Sequence, residues 1–320
     1  MWEKIFDELS SSPSMDAVSY KKLAKVFISE VLSAEVSDLL EHVEKYNALC
    51  EDIRTLMYVP YIFHTKKFGL LLKDPTEHIK RVLASKVSSL FSKNVSKERF
   101  YTISNLTVKK CIDTNMRIMF QNFVALSILY NLHSYSPEIV DPDNGWLHLS
   151  RTGFQHDGAI PPNYVVRVND TFLSFFLEAP RPIHWSKRIK HGSNLPLHAA
   201  PRPDIMVYRG WIKDILNDSS SLIIPPDFLI ECKEISGWWS SVRPSKGIKH
   251  LTDGEIENVT ATKVLETYTD LYHPKKIILV SKVKVPRGVK YKLSLRGVDM
   301  IDETDFNSFN IKPLSDLLLN

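Results

Sequence analysis

Three charged side chains fall where a β-strand is expected to be apolar. Asp204 opens the run "DIMVYRG", and Glu231 and Lys233 lie inside the run "DFLIECKEI". Burying a charged group costs free energy unless it has a partner or a chemical task. Alternate residues of a strand point to the same face, so Glu231 and Lys233 point together and Cys232 points the other way. If the two runs pair, two carboxylates and an ammonium group converge.

Two carboxylates beside a lysine suit a hard divalent cation. Mg²⁺ takes oxygen ligands and is held by one or two carboxylates together with waters and phosphate oxygens. Such a cation polarises a phosphodiester and lowers the pKa of a bound water. A lysine can hold that water or stabilise the charge that develops. The pattern therefore favours phosphodiester hydrolysis, and the alternative is a cross-strand salt bridge on a solvated sheet face without catalysis.

These residues resemble the motif of the PD-(D/E)XK nuclease superfamily. The match is Pro203–Asp204 followed by Glu231–Cys232–Lys233, and no other acid in the chain stands two residues before a lysine. The resemblance implies that Asp204 and Glu231 bind Mg²⁺, which Mn²⁺ can replace. It also implies that the backbone carbonyl of Cys232 is a further ligand and that Lys233 is the catalytic lysine. The implied fold is a restriction-endonuclease-like core with a mixed central sheet, in the order α-β-β-β-α-β over residues 115–285.

One ligand of the resembled site has no obvious counterpart. The family often takes another acid from the preceding helix, but "NMRIMFQNFVALSILYNL" contains neither Asp nor Glu. Glu178, which ends the run "TFLSFFLE", is the first substitute and Gln121 the second. Asp227 is a rival for the second carboxylate because it shares the strand parity of Glu231, although its place after two prolines favours a turn. Lys263, on the helix after the motif, is a further candidate to face the site.

Two basic segments flank the motif and predict contacts with the phosphates of a nucleic acid. The segments are "HWSKRIKHG" and "SVRPSKGIKH", and their candidate residues are Lys187, Arg188, Lys190, Arg243, Lys246 and Lys249. Trp238 could stack on bases, and its alternative role is to cover the edge of a core.

Size and composition set broader limits. The chain has 320 residues, a formal net charge of +4 and three cysteines. Chains of this length tend to form more than one domain, and a mild positive charge permits an anionic partner without requiring one. The sparse cysteines and the acidic start "MWEKIFDELS" favour a reducing compartment, so we expect a cytoplasmic protein. The longest apolar run, "NFVALSILYNL", is too short to cross a membrane.

The hydrophobic pattern predicts two domains. Residues 1–140 carry apolar side chains at three- and four-residue spacing, which predicts an all-helical domain that binds substrate or a partner. Ser14 or Asp16 is the candidate cap of one helix and Asp74 that of another, and Pro75 suits a first helical turn. Residues 141–320 combine short strand-like runs, among them "YKLSLRGVDMI", with one crossover helix, which predicts an α/β domain.

The sequence thus predicts a Mg²⁺-dependent deoxyribonuclease, and the resemblance to the superfamily implies the restriction or mobile-element type. Many enzymes of the resembled superfamily cut both strands as dimers, so a homodimer is expected. Two alternatives stay open: a non-catalytic nucleic-acid-binding module on the same fold, and a helical regulator whose N-terminal domain reads DNA.

Overall fold

The computed structural model of the chain describes residues 1–11, 16–151, 160–178, 202–215, 224–240 and 261–319, with positions 261–263, 266, 267 and 271 described by their backbone alone. The chain divides into two compact units. One comprises Met1–Ala48 and His64–Met119, and the other comprises Leu49–Phe63 and Phe120–Asn320. The turn-rich segment at 136–147 predicted a boundary near residue 140, whereas this division places residues 120–140 with the sheet.

The first unit is helical, as the hydrophobic spacing predicted. Its helices are α1 (Trp2–Ser10), α2 (Ala17–Val31), the first part of α3 (Ser33–Leu56), α4 (Lys66–Lys73), α5 (Pro75–Phe91) and the first part of α6 (Lys97–Leu132). Asp16, one of the two candidate caps of α2, accepts the N–H of Ser19 at its Oδ1 at 2.8 Å, and the other candidate, Ser14, lies outside the described residues. The predicted cap Asp74 accepts the N–H of Glu77 at its Oδ1 at 2.9 Å. Each cap satisfies a backbone donor that the first helical turn leaves without a partner.

The second unit contains, within its described residues, a seven-stranded mixed sheet. Its strands in spatial order are β2 (Glu138–Asp141), β4 (Tyr164–Val168), β5 (Thr171–Leu177), β6 (Ile205–Arg209), β7 (Phe228–Lys233), β8 (Lys276–Ser281) and β9 (Val298–Ile301). Neighbours from β2 to β7 are antiparallel, and β7, β8 and β9 are parallel. Two short strands, β1 (Ile62–Phe63) and β3 (Leu147–His148), pair separately. The predicted mixed α/β architecture with an N-terminal helical region is confirmed.

The second unit also contains the remaining parts of α3 and α6. Among the described residues, three α-helices lie wholly within it: α7 (Ala261–Tyr272), α8 (Arg287–Ser294) and α9 (Lys312–Leu319). Helix α7 is the predicted crossover between β7 and β8, which a parallel pair requires. Helix α8 corrects the strand predicted over "YKLSLRGVDMI", of which only Val298–Ile301 is a strand.

The pairing register defines one face of the sheet. Phe176 of β5 lies opposite Met206 of β6, which lies opposite Leu229 of β7. These three side chains belong to a buried cluster that also contains Leu265 and Tyr268 of α7. Since residues opposite one another in a sheet share a face, this face, which we call the α7 face, is the one that α7 covers.

Candidate functional site

The ends of two adjoining strands bring together the three residues of the motif. Asp204 immediately precedes β6, and Glu231 and Lys233 lie near the end of β7. The strands are antiparallel with Ile205 opposite Ile230, so the next residue pair along the ladder is Asp204 and Glu231. Glu231 stands two residues beyond Leu229 and therefore lies on the α7 face. The predicted pairing of the two runs is present.

The carboxylate of Asp204 is tied to the backbone of β7. Its Oδ2 accepts the N–H of Cys232 at 2.8 Å. The main chain of Asp204 is also held, because its carbonyl accepts the side-chain amide of Gln121 at 2.8 Å and the N–H of Glu178 at 2.9 Å. These contacts fix the position of a half-buried acid at the strand end.

Glu231 is almost fully buried, with 6% of its surface exposed. Its Oε1 accepts a hydrogen bond from Lys233 Nζ at 2.5 Å, and its Oε2 accepts one from the hydroxyl of Tyr268 at 2.9 Å. The partly buried ammonium group of Lys233 offsets the charge of the glutamate, which is the usual requirement for burying a carboxylate.

The sequence interpretation missed Tyr268 as a site residue. Its hydroxyl lies 2.9 Å from Glu231 Oε2 and 2.8 Å from the backbone carbonyl of Arg202, two residues before Asp204. In the sequence pattern, Tyr268 is one of the apolar residues on the buried face of α7. The signal that could have identified it is that it is a tyrosine, because the hydroxyl of a buried tyrosine usually needs a hydrogen-bond partner.

The environment shifts the pKa values of the buried groups. Burial raises the pKa of the Asp204 carboxyl well above its usual range, and the negative charge of Glu231 adds to this, while Lys233 opposes it. Burial also raises the pKa of the Cys232 thiol and of the Tyr268 hydroxyl. Cys232 therefore stays a neutral thiol and is unsuited to act as a nucleophile, and Tyr268 stays a hydrogen-bond donor.

Two residues considered for the missing ligand differ in their placement. Glu178 directly follows β5, is exposed, and donates its N–H to the carbonyl of Asp204, so its backbone adjoins the motif. Gln121 is buried on α6, and its side-chain amide holds the Asp204 carbonyl. Gln121 therefore supports the backbone of an acid, and Glu178 remains the candidate for an additional carboxylate.

Asp227 lies at the opposite end of β7. Its carboxylate accepts the N–H of Arg209 at 2.7 Å and pairs with Lys275 at 2.7 Å. The carboxylate of Asp227 is therefore engaged by Arg209 and Lys275 at the end of β7 far from Asp204. Glu231 is the carboxylate that adjoins Asp204.

The predicted contacts with nucleic acid are described only in part. The basic residues predicted to contact phosphates lie outside the described residues: Lys187, Arg188, Lys190, Arg243, Lys246 and Lys249. The side chain of Lys263 is not described either.

Trp238 lies within the described residues, and the prediction that it stacks on bases is wrong. It is 3% exposed, belongs to the core cluster on the α7 face, and donates its indole N–H to Ser281 Oγ at 3.2 Å. A buried ring with a satisfied N–H offers no surface for a base.

Arg151 adds a second cation on the α7 face. Its guanidinium lies 5.6 Å from the ring centroid of Phe176 and donates to the carbonyls of Leu177 and Pro161 at 2.9 and 3.1 Å. Burial lowers the pKa of Arg151 to about 10, which leaves it charged at neutral pH. Lys233, which donates to Glu231, reduces the negative potential that the acids create for an approaching anion.

The chemistry of the donors fits a hard cation. Asp204 and Glu231 supply four carboxylate oxygens, and a carboxylate oxygen accepts more than one bond. Within the described residues no group of three or more His, Cys, Asp or Glu side chains is arranged to hold a metal ion. The proposed site has only two such side chains, Asp204 and Glu231, together with a backbone carbonyl. This set still suits Mg²⁺, because Mg²⁺ keeps several of its waters as ligands when it binds a protein.

Comparisons with known proteins add no family assignment. No protein-family model, no curated protein and no solved structure matches this chain. Among the helices in the described ranges, none has the length and apolar character needed to cross a membrane.

Proposed function

We propose that this chain is a Mg²⁺-dependent deoxyribonuclease that hydrolyses DNA phosphodiester bonds. The observation that supports this most is the meeting of Asp204, Glu231 and Lys233 at the ends of β6 and β7, with Glu231 on the α7 face. Acids held in a sheet beside a lysine match the needs of metal-assisted phosphodiester hydrolysis.

The order of elements around the site also supports the proposal. Helix α6 is followed in the chain by the strands β2, β3 and β4, then by the antiparallel strands β5, β6 and β7, by α7 and by β8, which is parallel to β7. Apart from the additional strands β2, β3 and β4, this order resembles the α-β-β-β-α-β core of the PD-(D/E)XK superfamily. A restriction-type or mobile-element endonuclease that acts as a cytoplasmic homodimer is the form we propose.

Asp204, Glu231 and the carbonyl of Cys232 would hold the metal. When bound, Mg²⁺ would offset phosphate charge and lower the pKa of a coordinated water. The hydrogen bonds from Cys232, Lys233 and Tyr268 orient the two carboxylates before any ligand arrives. Preorganised groups of this kind need little rearrangement when charge develops.

Lys233 has two tasks in this proposal. In the described state its ammonium group donates to Glu231. Its three N–H donors also allow it to reach a phosphate oxygen or the attacking water. It therefore stabilises the negative charge that grows on the phosphoryl oxygens or holds the water in place.

The satisfied contacts of Glu231 also suit a non-catalytic binding module, in which the acids serve only in hydrogen bonds and ion pairs. Cleavage of supercoiled plasmid in Mg²⁺ and in EDTA separates the two functions. We expect metal-dependent nicking by the wild type and a rate lower by about 10²–10⁴-fold in Lys233→Met. The matched control is Lys275→Met, because Lys275 also pairs with a carboxylate of β7 at the other end of the strand.

The control variant is expected to retain the wild-type rate. Equal inertness of the wild type and Lys233→Met on plasmid, linear, branched and single-stranded DNA, with Mg²⁺ or Mn²⁺, would favour the binding module.

A further inference from the structure

The hydroxyl of Tyr268 connects the two chain segments that carry the proposed metal ligands. It lies 2.9 Å from the carboxylate of Glu231, on β7, and 2.8 Å from the carbonyl of Arg202, in the segment that leads to Asp204. The tyrosine is 1% exposed and its ring packs in the cluster under α7. One buried group on α7 thus contacts both sides of the site.

The contact constrains Glu231 without occupying all of its acceptor positions. A carboxylate offers about four lone-pair sites, and Glu231 uses one on each oxygen, for Lys233 and for Tyr268. No other described residue uses the remaining positions, so in the described part of the chain they are open to a cation. Because the two bonds engage different oxygens, they restrain the orientation of the carboxylate and not only its location.

The hydroxyl has one hydrogen and two acceptors within reach. Its one hydrogen is shared between Glu231 Oε2, at 2.9 Å, and the carbonyl of Arg202, at 2.8 Å, which keeps the hydroxyl between the two segments. A buried donor is therefore never left without an acceptor, which would cost free energy. Groups behind a metal ligand that orient it in this way commonly change metal affinity by about 10–100-fold.

We propose that Tyr268 is a positioning residue that orients Glu231 and the segment before Asp204 for binding of a divalent cation. This inference rests on the proposed function, since it requires that Asp204 and Glu231 are metal ligands. It adds a residue from α7 to a site that the motif places on β6 and β7 alone.

The experiment measures Mn²⁺ binding in the absence of DNA, from the loss of the free-ion signal in electron paramagnetic resonance. Tyr268→Phe keeps the ring and removes the hydroxyl, and we expect its dissociation constant for Mn²⁺ to rise by about 10–100-fold. Tyr272→Phe is the matched control, because Tyr272 is also buried on α7 with its ring centroid 6.1 Å from that of Tyr268. The control is expected to stay within about twofold of the wild type, since of these two hydroxyls only that of Tyr268 contacts Glu231.

Thermal unfolding of the same proteins in EDTA separates positioning from a structural role. A structural role lowers the melting temperature of Tyr268→Phe and leaves the Mn²⁺ affinity of the folded protein unchanged, which would overturn the inference. If the wild type binds Mn²⁺ and Tyr268→Phe binds it equally well, the inference fails and the proposed metal site stands. If the wild type binds no Mn²⁺, the proposed function fails, and the inference fails with it.

Discussion

Replacing Asp204 by Asn is expected to stabilise the metal-free protein while it destroys the proposed activity. Asp204 and Glu231 form the next pair along an antiparallel ladder, and Cβ atoms of such pairs lie about 5 Å apart. At a pH where both carboxylates are ionised, two like charges at about 5 Å repel by about 3 kcal/mol when the effective dielectric constant is about 20. Lys233 offsets part of this repulsion, so we expect a gain of about 1–2 kcal/mol in the free energy of unfolding.

Asn is a suitable replacement because it keeps the local hydrogen bond. Its side-chain oxygen still accepts the N–H of Cys232, which Asp204 accepts at 2.8 Å, and its amide can donate to Glu231. For a unit of roughly 200 residues, a gain of this size raises the melting temperature by about 3–6 °C.

The stability difference between Asp204→Asn and the wild type should depend on pH. The pKa of Asp204 is raised in the folded protein by burial and by Glu231, so the folded state holds a proton that the unfolded state has already lost. Wild-type stability therefore falls as the pH rises through the raised pKa. Asp204→Asn does not titrate, and its advantage is largest at alkaline pH and shrinks as the solution is acidified.

The assay is thermal unfolding in EDTA between pH 5 and pH 8.5, with and without added Mg²⁺. Asp227→Asn is the control of opposite sign, because Asp227 directly precedes the neighbouring strand β7 but accepts bonds from the cationic residues Arg209 and Lys275. It is expected to lose up to about 1 kcal/mol, since Lys275 is largely exposed. A lower melting temperature for Asp204→Asn at pH 8 in EDTA would refute the reasoning and identify Asp204 as a structural carboxylate. Added Mg²⁺ should stabilise the wild type and leave Asp204→Asn unchanged.

Two further outcomes are expected. Tyr268→Phe should cleave plasmid more slowly than the wild type at low Mg²⁺ and recover toward the wild-type rate at saturating Mg²⁺, because the hydroxyl orients a metal ligand and does not act on the attacking water. A loss of cleavage rate that persists at saturating Mg²⁺ would contradict this explanation. Trp238→Phe should lower the free energy of unfolding by about 1–2 kcal/mol through loss of the bond to Ser281, with unchanged DNA affinity in fluorescence anisotropy. Weaker DNA binding by a folded Trp238→Phe would restore this residue to the nucleic-acid interface.

The sequence predicted the positions of the charged residues because strand alternation is a local rule. The parity of Glu231 and Lys233 follows from period two alone, and the pairing with the run after Asp204 follows from two apolar segments joined by a polar one. The helix caps at Asp16 and Asp74 were likewise readable from residue type and position. Each of these features depends on a few neighbouring residues.

Contacts between distant elements were not readable. Tyr268 lies 37 residues after Glu231, and nothing in the pattern of α7 distinguishes it from other buried positions. Trp238 was ambiguous for the same reason, because the partner of its indole N–H, Ser281, lies 43 residues later on β8.

The error at α8 has a different cause. Tyr291, Leu293 and Leu295 alternate as in a strand, but Leu293 alone among the helix residues is buried, and Pro286 stands at the cap. An eight-residue helix with one buried side chain carries too little periodicity to be distinguished from a strand.

The alternation of side chains along β7 has a consequence for how this site tolerates insertions and deletions. Adding or removing one residue within Phe228–Lys233 would turn Glu231 and Lys233 to the reverse side of the sheet and bring Cys232 to the α7 face. A substitution in this strand changes one side chain, whereas an insertion or deletion moves every following side chain of the strand to the opposite face of the sheet. Natural variation in this strand is thus constrained more tightly in its residue number than in its individual apolar side chains.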